Sequence, residues 1–88
     1  MSTNMKIEML LKMLASIDNT EDFKALMEDL CTTKELENMA ERFYAAQLLM
    51  EGKTYNQVME LSNISSATLS RVSRCVQYGS GYKKLLKD

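Results

Sequence analysis

Residues 54–76, TYNQVMELSNISSATLSRVSRCV, have the pattern of two short helices joined by a tight turn. Thr54 and Gln57 form a T-x-x-Q capping box, which predicts that the first helix begins directly after Thr54. Ser62-Asn63 interrupts the apolar spacing, and Ser65 is a suitable N-cap for the second helix. We therefore predict a helix-turn-helix over residues 54–76.

Each predicted helix has an apolar side that would face a core. In the first helix and the turn, the apolar positions are Val58, Met59, Leu61 and Ile64. In the second helix the inner side is formed by Leu69, Val72 (or Ser73) and Val76. The opposite side of the second helix carries small or hydroxylated side chains and two arginines: Ser66, Ala67, Ser70, Arg71 and Arg74. Small side chains allow a helix to approach a surface closely, and the arginines reach beyond them. This construction favours a helix that enters the DNA major groove.

The side chains of this segment divide by the part of DNA that they would contact. We expect Ser66, Ala67, Ser70 and Arg71 to face base edges, because arginine pairs with guanine through two hydrogen bonds and alanine contacts the thymine methyl group. The N-cap Ser65 is also assigned to the DNA-binding residues. The residues expected to contact phosphate are Thr68, Arg74, Tyr55, Asn56 and Gln57. The alternative is a helical hairpin that packs against protein and binds no DNA.

The composition indicates one small helical domain, 1–88. A chain of 88 residues is near the size at which a single core gives marginal stability, so we expect it to oligomerise. The absence of proline favours uninterrupted helices. No apolar run is long enough to cross a membrane, and no export signal is evident, so we expect a cytoplasmic protein without a membrane partner.

The residues available for chemistry argue against an enzyme and against a bound metal. The chain has no histidine, no glycine-rich phosphate loop, and no nucleophile with an evident base partner. The two cysteines, Cys31 and Cys75, are far apart in sequence, which predicts reduced, mostly buried thiols rather than a zinc site. We expect no catalytic residue and no resident cofactor.

The charges are unevenly distributed along the chain, although the net charge is only −1. Residues 1–65 hold six basic and eleven acidic side chains, giving −5, whereas residues 66–88 hold five basic and one acidic, giving +4. A basic end on an acidic body is expected if the C-terminal third faces phosphate, with Lys83 and Lys84 adding non-specific attraction. Alternatively, the C-terminal lysines only complement a helix dipole.

The apolar residues of 5–17 cover roughly two-thirds of a helix circumference, more than one buried face requires. We infer that one side packs on its own chain and another on a partner subunit. The alternative is a single core with some exposed methionine. Residues 1–4 are expected to be frayed.

The remaining segments complete a prediction of about six helices and no strand. Thr20 is expected to cap the second helix, and Thr32 with Glu35 forms a T-x-x-E capping box before a long third helix that ends near Glu51. On that helix we expect an apolar face of Leu36, Met39, Ala40, Phe43, Ala46 (or Gln47) and Met50, broadened by Leu48 and Leu49 near its end. Gly52 occupies the position of a left-handed C-cap, and residues 82–86 are predicted to form a short final helix.

Together with Arg42 on the long helix, Gly52 and the segment Thr68–Arg71, this pattern resembles the Trp repressor superfamily, specifically the YerC/YecD type of Trp repressor-related proteins. The resemblance is strongest over residues 30–76. It implies an all-helical, intertwined homodimer that binds double-stranded DNA and regulates transcription, most simply as a repressor. It also implies dimerisation through residues of about 5–51 and 80–87, outside the helix-turn-helix. The alternative function is a helical protein–protein interaction module without specific DNA binding.

The resemblance also implies a possible effector site. Arg42 and Arg71 match two arginines that hold the ligand in tryptophan-sensing members, and Thr32 matches a threonine near it. Val72 stands where those members have glycine, so its branched side chain would occupy space that the indole ring needs. The sequence therefore leaves a small-molecule corepressor open but argues against tryptophan.

Overall fold

The computed structural model describes residues 1–86, and in that range it contains six α-helices and no strand. The helices are α1 (Thr3–Ser16), α2 (Thr20–Leu30), α3 (Thr33–Met50), α4 (Tyr55–Leu61), α5 (Ser66–Tyr78) and α6 (Gly81–Leu85). The all-α prediction with a helix-turn-helix is confirmed. Lys87, the last residue of the segment 80–87, lies outside the described residues.

The chain forms two compact units, one of residues 1–36 and one that begins at Glu37. The first unit holds α1, α2 and the start of α3, and the second holds the rest of α3 with α4, α5 and α6. The assignment of a single domain to residues 1–88 stays a prediction.

In the first unit, two helices begin one or two residues away from the predicted positions. The hydroxyl of Ser2 accepts a hydrogen bond from the Met5 N–H (3.2 Å), so α1 begins at Thr3 and the prediction of fraying through Asn4 is wrong. Asn19, rather than Thr20, caps α2, because its side-chain oxygen accepts from the Asp22 N–H at 2.8 Å. Thr20 is thereby the first helical residue.

Neither α1 nor α2 contains a buried residue. Large apolar side chains of α1 are widely exposed, including Met9 (59%) and Leu11 (57%), and Leu30 of α2 is exposed as well. The wide apolar arc predicted for residues 5–17 is therefore present as exposed surface.

The core of the second unit is formed where α3, α4 and α5 meet. Its buried residues are Ala45, Ala46, Leu48, Val58, Leu69 and Val72. The face predicted for α3 is therefore wrong in part: Ala45 is buried and Phe43 is 53% exposed. Met59 and Leu61 of α4 are also exposed, so Val58 is the one residue of α4 that is buried in the core. The core of this unit packs only against the C-terminal half of α3. The buried residues of α3, Ala45, Ala46 and Leu48, therefore lie on a side of the helix that differs in part from the predicted side.

The end of α3 is a Schellman motif centred on Gly52. The Lys53 N–H donates to the Leu48 carbonyl (3.1 Å) and the Gly52 N–H donates to the Leu49 carbonyl (3.0 Å). Gly52 has φ = +93°, the left-handed conformation that glycine adopts most easily. This confirms the predicted C-cap, which directs the chain into α4.

Candidate nucleic-acid interface

The first helix of the helix-turn-helix begins at a complete capping box. The Gln57 N–H donates to Thr54 Oγ1 (3.2 Å), and the Thr54 N–H donates to Gln57 Oε1 (2.9 Å). These two reciprocal bonds satisfy N–H groups that a helix start otherwise leaves without partners. The start of α4 is therefore fixed locally, as the sequence predicts.

The second helix has a side-chain cap of its own. Ser65 Oγ accepts from the Thr68 N–H (3.1 Å) and also donates to the Thr68 hydroxyl oxygen (3.0 Å). Tyr55, at the start of α4, adds a bond across the turn, because its hydroxyl donates to the Ser66 carbonyl at 3.4 Å. The first turn of α5 is thus held both by its own cap and by α4.

The two sides of α5 differ sharply in burial. Leu69 and Val72 are almost fully buried, and Val76 packs against the same core. Every residue of the predicted groove face is exposed: Ser66, Ala67, Ser70, Arg71 and Arg74. No acidic side chain occurs in α5, so this face carries positive charge without a carboxylate on the same helix.

The residues predicted to contact phosphate have unequal freedom. Asn56 is exposed, whereas Thr68 is half-buried and its hydroxyl is already bonded to Ser65. The capping box occupies Oε1 of Gln57, so a phosphate would meet the amide nitrogen of this side chain. Tyr55 is exposed, but its hydroxyl also serves the bond to Ser66. These assignments stay predictions.

The three residues of the possible effector site have different surroundings. Arg42 is half-buried and Arg71 is exposed, both in the second unit, while Thr32 belongs to the first. Thr32 caps α3: the Glu35 N–H donates to its hydroxyl (3.1 Å) and its own N–H donates to Glu35 Oε1 (2.8 Å). The pKa of Glu35 is lowered from its usual value of 4.5, mainly by its hydrogen bond with the backbone of Thr32 and to a smaller extent by that with the Thr32 side chain. Val72 is only 2% exposed and belongs to the core. The effector assignment stays a prediction.

An apolar cavity of about 460 Å³ lies beside α6 and was not predicted. It is lined by Phe43, Cys75, Gly79, Ser80, Gly81, Tyr82, Leu85 and Leu86. Cys75 is a free, half-buried thiol on its wall, and Cys31 is free and half-buried elsewhere. Phe43, which is 53% exposed, forms part of the cavity wall. No sequence pattern predicted it, because its walls come from three separate segments.

Two further findings concern residues 1–86 as a whole. No helix in this range is both long and apolar enough to span a membrane. The same residues contain no cluster of three or more histidine, cysteine or acidic side chains arranged to hold a metal ion.

Comparisons with known proteins agree with this geometry. The family model described as Trp repressor protein matches residues 5–88. The uncharacterized protein YerC of Bacillus subtilis (strain 168) is 32% identical over 83 residues, covering 94% of this chain and 80% of YerC. A Trp operon repressor homolog of Xylella fastidiosa (strain M23) is 29% identical over 72 residues, covering 82% of this chain and 68% of the homolog.

The fold has a solved counterpart. The crystal structure of a candidate Trp repressor from Staphylococcus aureus matches with a TM-score of 0.86 and 30% sequence identity, covering 92% of this chain and 82% of that one. The resemblance inferred from residues 30–76 therefore extends over nearly the whole chain. The chain belongs to the Trp repressor protein family.

Proposed function

We propose that this protein is a transcriptional regulator of the repressor type, which binds a specific double-stranded DNA sequence as a homodimer and places α5 in the major groove. The observation that carries the proposal is the exposed, acid-free face of α5, formed by small side chains and two arginines on a helix capped by Ser65. A close-fitting helix with arginines at its surface suits direct contact with base edges.

The proposed homodimer is supported by the apolar surface of the first unit. None of the 14 residues of α1 is buried, and Met5, Ile7, Met9, Leu11 and Met13 all leave at least half of their side-chain surface exposed. Exposed apolar surface of this extent is typical of a protein–protein interface. Burial against a second chain would stabilise α1 and double the basic surface offered to DNA.

A protein-interaction module is the second candidate function. It is favoured by the methionine-rich surface of α1 and by the apolar cavity beside α6, since methionine suits adaptable contacts. It does not account for the arginine-bearing face of α5 without any carboxylate. We therefore prefer the DNA-binding function. In this proposal the protein has no resident cofactor, and a corepressor, if one is needed, is a molecule other than tryptophan.

Selection of bound fragments from a source genome, followed by footprinting across a salt series, tests the proposal. We expect enrichment of a palindromic site whose half-sites lie about one helical turn apart. The logarithm of the affinity should fall linearly with the logarithm of salt concentration, with a slope of about −0.9 per phosphate contact.

The competing function predicts a different result. Selection that enriches no sequence, both without and with added cell metabolites, would contradict specific DNA binding and favour the interaction module. Enrichment that appears only with metabolites would retain the regulator and show that it needs a corepressor.

A further inference from the structure

A carboxylate on α3 bonds to the turn of the helix-turn-helix. The backbone N–H of Asn63 donates to Glu41 Oε2 at 2.8 Å, a contact between residues 22 positions apart. Glu41 is half-buried, and it lies on the same helix as the core residues Ala45 and Ala46. The bond therefore connects the core-forming helix directly to the segment between α4 and α5.

The other turn residues are held within the helix-turn-helix or by the core. The N–H and hydroxyl of Ser62 both donate to the Val58 carbonyl, at 2.8 and 2.6 Å. Ile64 packs against the core, and Ser65 caps α5. Asn63 is thus the turn residue whose backbone bonds to a side chain from another helix.

The bond between Glu41 and Asn63 matters more for the position of the turn than for giving the Asn63 N–H an acceptor. Asn63 is exposed, so its N–H would bond to water if Glu41 were absent. Hydrogen bonds to an ionised acceptor are shorter and stronger than those between neutral groups, so this one holds the turn at a defined place on α3. The position of the turn influences the direction in which α5 extends from it.

We propose that Glu41 is a positioning residue for DNA recognition: by holding the Asn63 N–H, it fixes the orientation in which α5 presents its arginines. This inference rests on the proposed DNA-binding function. It makes a prediction opposite to that of simple electrostatics, because removal of an acidic charge by itself strengthens attraction to phosphate.

The test compares Glu41→Ala, Glu41→Gln and the control Glu37→Ala. Glu37 is an exposed carboxylate one turn earlier on α3, so its replacement changes the net charge equally without touching the turn. The Kd for the selected operator should rise about 10-fold in Glu41→Ala and stay at or below the wild-type value in Glu37→Ala. Glu41→Gln keeps a side-chain oxygen that accepts the bond and should restore affinity to within about 3-fold of wild type.

An NMR measurement on the same proteins separates this inference from the proposed function. The Asn63 amide hydrogen should exchange with solvent slowly in the wild type and in Glu41→Gln, and faster in Glu41→Ala. In Glu41→Ala, amide resonances along α5 should shift while circular dichroism keeps its helical signal. If Glu41→Ala does not fold, Glu41→Asp, whose side chain is one methylene shorter and should not reach the turn, replaces it in both measurements.

The outcomes are distinct. A wild type that binds no DNA would overturn the proposed function, while the exchange of the Asn63 amide hydrogen would still test the positioning by Glu41. Unchanged α5 resonances and unchanged Kd in Glu41→Ala would overturn the positioning. An equal loss of affinity in Glu37→Ala would also overturn it, because the loss would then not depend on the bond to Asn63.

Discussion

At the residue scale, Arg71 and Arg74 share one exposed helix face but should do different work. Arg71 follows the small residues that are expected to lie closest to the bases, while Arg74 is nearly one turn further along α5. A side chain that pairs with a base sets sequence preference, whereas one that pairs with phosphate sets general affinity. The two arginines therefore form a matched pair for mutation.

Arg71→Ala should weaken binding to the selected operator by about 1–3 kcal/mol and relax base choice at one position of each half-site. Arg74→Ala should weaken binding to all sequences nearly equally and reduce the salt slope by about 1. Binding to a library of single-base operator variants, measured at several salt concentrations, distinguishes the two effects. Equal base preference in Arg71→Ala and in the wild type would refute the assignment of Arg71.

The capping carboxylate Glu35 gives the chain a defined acid sensitivity. Its pKa in the folded protein is lowered below 4.5 by the Thr32 hydrogen bonds, so the ionised form is favoured by folding. The stabilisation from this cap is fully present at pH values above 4.5, the pKa of Glu35 in the unfolded chain. It is lost as the pH falls through the lower pKa that Glu35 has in the folded protein.

An NMR titration of the Glu35 carboxyl should place its midpoint below 4.5, and Thr32→Ala should raise that midpoint only in part, because the backbone N–H of residue 32 remains. Glu35→Gln keeps an acceptor for the Thr32 N–H but cannot titrate, so it should lose less stability than the wild type between pH 5 and the folded midpoint. A wild-type midpoint for Glu35 at or above 4.5 would show that the cap does not lower its pKa.

At the element scale, two glycines end helices for different reasons. Gly52 has a left-handed backbone, which costs other residues about 1–2 kcal/mol. Gly79 has an ordinary φ, but a Cβ there would lie 2.6 Å from the Cys75 carbonyl oxygen, a backbone atom that cannot move aside cheaply. Gly81 has neither constraint, since a Cβ there meets nothing within 4 Å.

Gly52→Ala should therefore lower the free energy of unfolding by about 1–2 kcal/mol, and Gly79→Ala should also destabilise the protein. Gly81→Ala, at the start of α6, is the control and should leave stability unchanged or slightly raised. Urea unfolding at a fixed protein concentration measures all three. Equal stability of the three variants would contradict both explanations.

Helix boundaries were predictable from the sequence where a cap depends on residues three positions apart. The boxes Thr54–Gln57 and Thr32–Glu35 form as their spacing predicts. The start of α2 was less certain, because Asn19 and Thr20 are adjacent and both residue types cap helices. Only the actual bond to Asp22 shows that Asn19 is the cap.

Contacts between distant segments were not predictable in the same way. The row of α3 that enters the core depends on where α4 and α5 pack, so Ala45 was missed and Phe43 was misplaced. The bond between Glu41 and Asn63 has no local sequence pattern, since any acid on the correct turn of α3 could form it. The groove face of α5 was predictable because burial of Leu69 and Val72 determines which side remains exposed.

At the scale of the whole molecule, the exposed apolar surface of α1 should decide the oligomeric state. Leu11→Glu places a charge within that surface and should convert a dimer into monomers, because an unpaired charge is costly to bury at an interface. Lys12→Gln changes the net charge by the same amount without adding a carboxylate, and it should leave the dimer intact.

Sedimentation equilibrium of both variants measures the mass directly, and operator binding by Leu11→Glu should weaken in parallel with the loss of dimer. A dimer that persists unchanged in Leu11→Glu would show that the interface lies elsewhere. A monomeric wild type would contradict the homodimer itself.

If the protein dimerises as proposed, the absence of any buried residue in α1 should also affect the lifetime of a newly made chain. An isolated helix of 14 residues is only marginally stable in water. Until it meets a second copy, the N-terminal segment should open readily, and the opened backbone is the form that proteases cleave. Because the encounter is bimolecular, scarce chains stay vulnerable for longer than abundant ones. Under this mechanism, degradation would remove the protein fastest when it is rarest, and this would sharpen the threshold concentration at which it begins to act.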